Sequence, residues 1–378
     1  MEGLMIFLIF SFGVTLIFGL ANIYIYKRLV LKFITLKYLR RLFALILFAL
    51  FLVQGFFMVF RSSEYLNDAW YSFFASLYAP TYCFFFVTLF LDFLRFMLAL
   101  LGKSFMKIAS FVKVAFEISL LLFGAFITYF SIYSAIKVPE FSEVDIKISH
   151  LEKELKIAML TDIHLGKNLH EKFLSEIIEK VNSKNVDMVV IVGDLVDAKS
   201  ETLKPYISKL NDLKSTYGTF YALGNHEYYH GINEVLELLK GQTNMKILVN
   251  EGLDLGFMNI AGLGDLAGLR KGILAPDLAR AKVDLNLSKP SILLAHQPKT
   301  TQLYDVSDFD LILSGHTHGG QIFPFALLVK LQQGFVSGLY PLSEKTQLFV
   351  SRGAGFWGPS LRTFSQSELV ILNLRGNK

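Results

Sequence analysis

Four stretches in the first third of the chain, residues 3–26, 42–60, 69–91 and 118–136, contain no Asp, Glu, Lys or Arg. Each reaches the roughly 18 uninterrupted apolar residues that mark a transmembrane helix candidate. In hydrocarbon the backbone must satisfy its own hydrogen bonds, so such a segment spans as a helix, and Pro80 is tolerable as a kink in the third. A water-soluble core has no need of four such runs. Residues 1–137 are therefore expected to form an all-α, four-helix transmembrane anchor. Residues 138–154, with Pro139 and mixed charges, are expected to be a junction, and 155–378 a separate domain.

The loops set an orientation. Lys27, Arg28, Lys32, Lys37, Arg40 and Arg41 lie between the first two spans, and Arg95, Lys103, Lys107 and Lys113 between the last two. Residues 61–68 hold one arginine against Glu64 and Asp68. Basic loops stay cytoplasmic, so the expectation is a multi-pass protein of the cell (inner) membrane with its catalytic domain outside the cytoplasm. No basic region precedes the first span and no small-residue cleavage site follows it, so that span is expected to stay in the protein. Residues 92–113 either extend the third span or form a surface helix. Glu117, at a span edge, is the one ionisable group near a span, which favours an anchor over a pore. The lone Cys83 excludes an intramolecular disulfide. Residues 1–137 carry 12 Lys/Arg and 5 Asp/Glu, leaving 25 and 27 of the chain's 37 and 32 for the rest. The net charge of +5 is thus a membrane-topology signal, and no nucleic-acid partner is indicated.

Chemistry enters after residue 160. Five polar blocks occur in order: Thr161-Asp162-Ile163-His164, Gly193-Asp194, Gly224-Asn225-His226-Glu227, His296, and Gly315-His316-Thr317-His318-Gly319-Gly320-Gln321. Each follows a short apolar run that reads as a buried strand: 156–160, 188–192, 220–223, 292–295 and 311–313. Residues just beyond strand ends of an α/β sheet meet in one crevice. Alone, Gly-Asp is a turn, Asn-His a turn or cap, and His296 a core histidine. Two imidazoles one residue apart in a glycine-flanked turn make a poor core element, and together the blocks describe a metal site. Mixed imidazole, carboxylate and amide donors suit manganese, zinc or iron better than calcium. Two metals about 3.5–4 Å apart need a ligand that touches both, and Asp194 is the candidate bridge. Such a pair lowers the pKa of a bound water towards roughly 7, giving hydroxide at neutral pH without a serine or cysteine nucleophile.

The blocks resemble the calcineurin-like metallophosphoesterase superfamily, and Gly-His-Thr-His-Gly-Gly-Gln resembles its membrane-associated bacterial branch. The resemblance covers about residues 150–378. It implies two divalent metal ions, one held by Asp162, His164, Asp194 and His318, the other by Asp194, Asn225, His296 and His316. His226 would contact the phosphate and protonate the leaving oxygen. Glu227 stands where many relatives have aspartate, and Thr161 where many have serine; neither change removes a ligand. Arg352, in the glycine-rich run 351–355, is either a substrate contact or part of a turn. The fold implied is α/β, a four-layer α-β-β-α sandwich of two mixed sheets flanked by helices. The sequence agrees, with helical segments near 169–182, 201–213 and 233–240 and crowded, added antiparallel strands over 245–263.

The function expected is a membrane-anchored phosphoesterase acting on a phosphate ester, diester or pyrophosphate, an envelope lipid among the candidates. One alternative is hydrolysis of a lipid A precursor, UDP-diacylglucosamine, although that substrate belongs to the cytoplasmic face. Another is a non-catalytic membrane scaffold, which would be expected to have lost a ligand. The apolar run 322–331 beside the last histidines, with Phe335, Phe356 and Trp357, either docks on the bilayer or accepts an acyl chain, or packs as an ordinary helix.

Overall fold

The computed structural model describes residues 2–61, 66–100 and 110–376. It divides into two compact units: Met1–Tyr133 with Gly358–Leu361, and Ser134–Trp357 with Arg362–Lys378.

The first unit is helical: α1 (Glu2–Ile25, continued by a π turn at Tyr26–Val30 and by Leu31–Phe33), α2 (Lys37–Phe60), α3 (Asp68–Ser76), α4 (Tyr78–Leu100) and α5 (Ser110–Ile136). Among the described residues four helical stretches, Leu8–Phe33, Lys37–Phe60, Asp68–Leu100 and Val114–Ile136, are long and apolar enough to cross a membrane. Large side chains such as Phe12, Ile17, Leu45, Phe96 and Leu122 are exposed on them, as expected where the solvent is lipid. Pro80 lies just after the break at Leu77 that divides the stretch Asp68–Leu100. It sits in the first turn of α4, where its missing N–H has no partner to lose.

Of the two readings of residues 92–113, the structure extends the third span: the helix runs on to Leu100, and residues 101–109 lie outside the described residues. Arg28, Asp92 and Arg95 therefore join Glu117 inside the apolar helices. They are mutually paired: Asp92 accepts from Tyr24 Oη at 2.7 Å and Arg95 Nη1 at 3.0 Å and lies 2.5 Å from Arg28 Nε, while Arg95 Nη2 reaches Glu117 Oε1 at 2.8 Å. Two cations and two anions cancel locally, which is what a low-dielectric surrounding demands. A neutral network lies deeper: Thr81 Oγ1 donates to Asn22 Oδ1 at 2.9 Å, and Gln54 Nε2 donates to Thr81 Oγ1 at 2.9 Å.

The second unit holds two six-stranded mixed sheets. One runs β1 (Phe141–Ile148), β12 (Leu369–Gly376), β2 (Leu155–Leu160), β3 (Met188–Val192), β4 (Thr219–Ala222), β5 (Lys246–Ile247). The other runs β10 (Gly338–Pro341), β11 (Gln347–Val350), β9 (Leu311–Ser314), β8 (Ser291–Leu294), β7 (Asn259–Gly262), β6 (Glu251–Asp254). Strands β2 to β5 are mutually parallel, as are β7, β8 and β9. Met159, Val190, Val192 and Phe220 of one sheet meet Ile260, Ile292, Leu294 and Leu313 of the other in the central core. Outer faces are covered by helices. Phe173, Ile177 and Val181 of α6 (Glu171–Asn182) pack on one sheet, and Leu278, Ala281 and Phe309 on the other. This is the four-layer α-β-β-α sandwich.

The supposed junction does not stay a linker. Residues 141–148 form β1, parallel to β12 in register Phe141↔Leu369, with Ile146 and Ile148 buried. Its alternation of charged and β-branched residues is the pattern of an edge strand with one face covered. The helix expected over 201–213 splits into Ser200–Leu203 and a 3₁₀ turn Ile207–Asp212, because Pro205 offers no N–H and disfavours helix before it. Of the crowded strands, β6 and β7 pair antiparallel, but β5 joins β4 in parallel.

Candidate metal centre

All five blocks sit at the carboxyl ends of parallel strands: Asp162 and His164 after β2, Asp194 after β3, Asn225 after β4, His296 after β8, and His316 and His318 after β9. The turns are tight. Asp162, His164, Asp194, His316 and His318 all have positive φ, between 49° and 67°, a region sparsely populated by residues other than glycine and costly by roughly 1–3 kcal/mol each. Strain concentrated on five of the seven expected ligands marks a constellation over-determined by its surroundings. Glycine makes the close approach possible. A Cβ on Gly224 would overlap Asp194, and one on Gly315 would overlap Thr161 and Asp162.

The side chains form two clusters, with Asp194 of one facing His164 of the other. Asp162, His164 and His318 have ligand atoms mutually within 4.8 Å, as do Asp194, His296 and His316. His164 Nε2 lies 3.1 Å from His318 Nε2, and His318 Nε2 lies 3.3 Å from Asp162 Oδ1. Asp194 Oδ2 is 3.1 Å from His296 Nε2, 3.8 Å from His164 Nε2 and 3.9 Å from His226 Nε2. It therefore stands between both clusters. Asn225 Oδ1 and His164 Nδ1 are buried without a hydrogen-bond partner.

Burial outweighs other effects for three of the imidazoles. It pushes His164 and His316 down to about 3, and His318 well below the usual range. Burial opposes charge on Asp194 too, but His296 and His226 overcome it and hold that carboxyl well below its ordinary range. The other two titratable ligands shift the opposite way: burial raises Asp162 to about 6, and burial of His296 is overcome by the Asp194 carboxylate, which raises it well above the usual range. Unprotonated His164, His316 and His318 with an ionised Asp194 are the forms that bind a divalent cation. The residues fit the metals that the blocks imply.

Asp197, not singled out from sequence, and Glu227, whose role the sequence did not show, complete the site. Asp197 Oδ1 lies 2.8 Å from His226 Nδ1 and 3.1 Å from His230 Nε2. Burial works against a charged His226, but the carboxylates of Asp194 and Asp197 prevail and raise it to about 9. Asp197 lies three residues beyond Asp194 in Gly-Asp-Leu-Val-Asp, and that spacing was the only available signal. Glu227 is a fully buried clamp: it accepts from the backbone N–H of Asp194 (3.2 Å), Leu195 (2.8 Å), Val196 (3.3 Å) and Gly224 (2.7 Å). It thereby fastens the β3 and β4 turns together.

Arg362 is 1% exposed. Its guanidinium donates to carbonyls of Gly355, Ser365, His318 and Arg352, and Nη2 lies 2.9 Å from His318 Nδ1. Nothing in the sequence distinguished it from a surface arginine. Arg352 takes the turn role: it pairs with Glu368 at 2.6 Å, and its N–H bonds the same carboxylate at 2.8 Å.

A model of the calcineurin-like phosphoesterase family matches residues 155–320. The chain is 66% identical to an uncharacterized metallophosphoesterase of Campylobacter jejuni, over 99% of this chain and 100% of that protein. A zebrafish transmembrane protein with metallophosphoesterase domain is 33% identical over 68% of this chain and 62% of its own length. The UDP-2,3-diacylglucosamine pyrophosphatase LpxG of Chlamydia muridarum is 28% identical over 60% of this chain and 85% of its own. The sandwich and its site define a metallophosphoesterase. This chain belongs to the calcineurin-like family and is a phosphoester hydrolase.

Proposed function

We propose that the chain is a membrane-anchored, two-metal phosphoesterase that cleaves a phosphate ester, diester or pyrophosphate of an envelope lipid. The supporting observation is Asp194, one buried carboxylate shared by two clusters of metal-binding groups, with His226 beside it. Asp162, His164, Asp194 and His318 would hold one ion, and Asp194, Asn225, His296 and His316 the other; manganese, zinc or iron suit these donors. When bound, the pair polarises a phosphoryl oxygen and lowers the pKa of water. Asp197 holds His226 by Nδ1 and leaves Nε2, on the Asp194 side, to give a proton to the leaving oxygen. Glu227 and Arg362 keep the turns in place. Residues 1–137 anchor the enzyme, and the catalytic unit begins with β1.

Arg362→Met is expected to weaken divalent-metal affinity by roughly 10- to 100-fold, the usual effect of removing a partner behind a ligand. Arg362→Lys should recover only part, because an ammonium cannot replace the planar set of donors. Competition with a fluorescent chelator reads this without turnover, and unchanged affinity would reduce Arg362 to a structural clamp.

The basic loops favour a catalytic unit outside the cytoplasm. A reporter active only outside the cytoplasm, fused after Lys378, is expected to work. Lipid profiling of a deletion strain should then reveal an accumulating phosphate-containing lipid. A second reading draws on the name of the Chlamydia relative: pyrophosphate hydrolysis of UDP-diacylglucosamine. A cytoplasmically active reporter at Lys378 together with accumulation of that nucleotide lipid would establish it over the first.

A further inference from the structure

The helix Phe325–Gln333 follows the His318 turn and buries only Gln333. Its leucines face outward, Leu328 at 58% and Leu331 at 84% exposure. Beside it the rings of Phe323 and Phe364 meet edge-on, centroids 6.5 Å apart. Phe364 is 79% exposed and has φ of 63°. A bulky residue in the left-handed region is strained, so this backbone is held out of its preferred conformation while it displays an aromatic ring. The hold is visible: Thr363 N–H donates to Gln321 O at 2.9 Å, and Ser365 Oγ donates to His318 O at 2.7 Å. Trp357, also exposed, is tied to Gln321 through Gln321 Nε2 to Trp357 O at 2.9 Å and Trp357 N–H to Gln321 Oε1 at 3.3 Å.

Charge separates this surface from the rest of the catalytic unit. Residues 311–343 and 353–367 contain no Asp or Glu, and their only Lys or Arg are Lys330 and the buried Arg362. Exposed aromatic and leucine side chains, one lysine and no carboxylate are the composition of an interfacial element facing a lipid surface, whose headgroups repel anions. A bilayer is always at hand, because the same chain carries four helices able to span one, and α5 ends at Ile136, four residues before β1.

We propose that Phe323, Phe325, Leu328, Leu331, Trp357 and Phe364 form a docking surface that seats in the headgroup–acyl boundary of a phospholipid bilayer. The surface is continuous in sequence with His316 and His318, so docking presents the metal centre to phosphates at the level of the headgroups. This deepens the reading of a lipid phosphate substrate and rests on it only for what is delivered; the docking can be observed without turnover.

The chain has two tryptophans, Trp70 and Trp357. The full-length Trp70→Phe variant, reconstituted in phosphatidylcholine–phosphatidylglycerol vesicles, therefore reports Trp357 alone. Lipids brominated near the top of the acyl chain are expected to quench it about two-fold, and lipids brominated near the chain end clearly less, as for a group about 5–10 Å deep. Trp357→Phe, which leaves Trp70, verifies insertion of the spans. Leu328→Asp with Leu331→Asp should abolish quenching of Trp357. It should also slow hydrolysis of a vesicle-borne lipid phosphate at least about ten-fold relative to a soluble chromogenic diester.

Trp357 left unquenched by either lipid while Trp70 is quenched would overturn the proposal, whether water or a second copy of the chain covers the patch. Stronger quenching from the chain ends would overturn it too, by placing Trp357 in the membrane core. Failure to hydrolyse any ester would count against the enzymatic reading and leave the quenching to judge the docking.

Discussion

Asp194→Ala is expected to leave the protein unable to hold tightly bound divalent metal and to reduce turnover of a soluble phosphodiester by at least about 10³-fold, a loss exceeding ~4 kcal/mol of transition-state stabilisation. The size of the effect follows from position. Asp194 Oδ2 stands between the two clusters, 3.1 Å from His296 Nε2 and 3.8 Å from His164 Nε2. If Asp194 bridges two ions as proposed, one substitution removes a ligand from each. It also removes the carboxylate that lies 3.1 Å from the buried His296 Nε2. Asp194→Asn separates chemistry from folding. It keeps the side-chain oxygen that accepts from His226 N–H at 2.9 Å, but lacks the charge that would bridge two cations. Metal content by mass spectrometry, melting temperature with and without manganese, and single-substrate kinetics make the test. Full turnover in Asp194→Ala would sink the two-metal mechanism.

The metal-binding blocks were legible because each interrupts a continuous apolar run. A five-residue stretch such as Met-Val-Val-Ile-Val, 188–192, short and rich in β-branched residues, reads as a buried strand, and the polar pair that follows then lies at its end. The supporting residues were not legible in the same way. Asp197, Glu227 and Arg362 each reach the site through a contact 29 to 44 positions away, to His226, Leu195 and His318, and nothing local in their neighbourhoods announces those partners. Strand β1 was hidden by its charges, since Glu143, Asp145 and Lys147 alternate with the residues that are buried. The ion pairs among Arg28, Asp92, Arg95 and Glu117 were hidden for the opposite reason: uncharged windows end where the first charge appears, whereas a helix continues through charges that neutralise one another. Apolar pattern is a property of single segments and reads directly. Polar pairing is a property of the assembled fold.

His226→Ala is expected to keep both metals and lose about 10²- to 10⁴-fold in rate on esters with poor leaving groups. The loss should be smaller on an activated aryl ester, whose leaving oxygen departs without a proton. Geometry motivates the separation. His226 Nδ1 is engaged by Asp197 at 2.8 Å, which fixes the ring and favours its protonated form, while Nε2 points to the Asp194 side at 3.9 Å. Removing the ring deletes the proposed proton donor and leaves Asp162, His164, Asn225, His296, His316 and His318 untouched. Asp197→Asn should move the rates in the same direction by less, because the imidazole remains but is no longer held by a charge. The diagnostic quantity is the slope of log rate against leaving-group pKa, which should steepen in His226→Ala and steepen less in Asp197→Asn. The structure also supplies the rival outcome. His164, Asp194 and His226 are themselves close enough to grip a cation, so if His226→Ala strips metal and slows every ester equally, His226 is a ligand, and the proton for the leaving oxygen must come from elsewhere, His230 being the nearest remaining imidazole on Asp197.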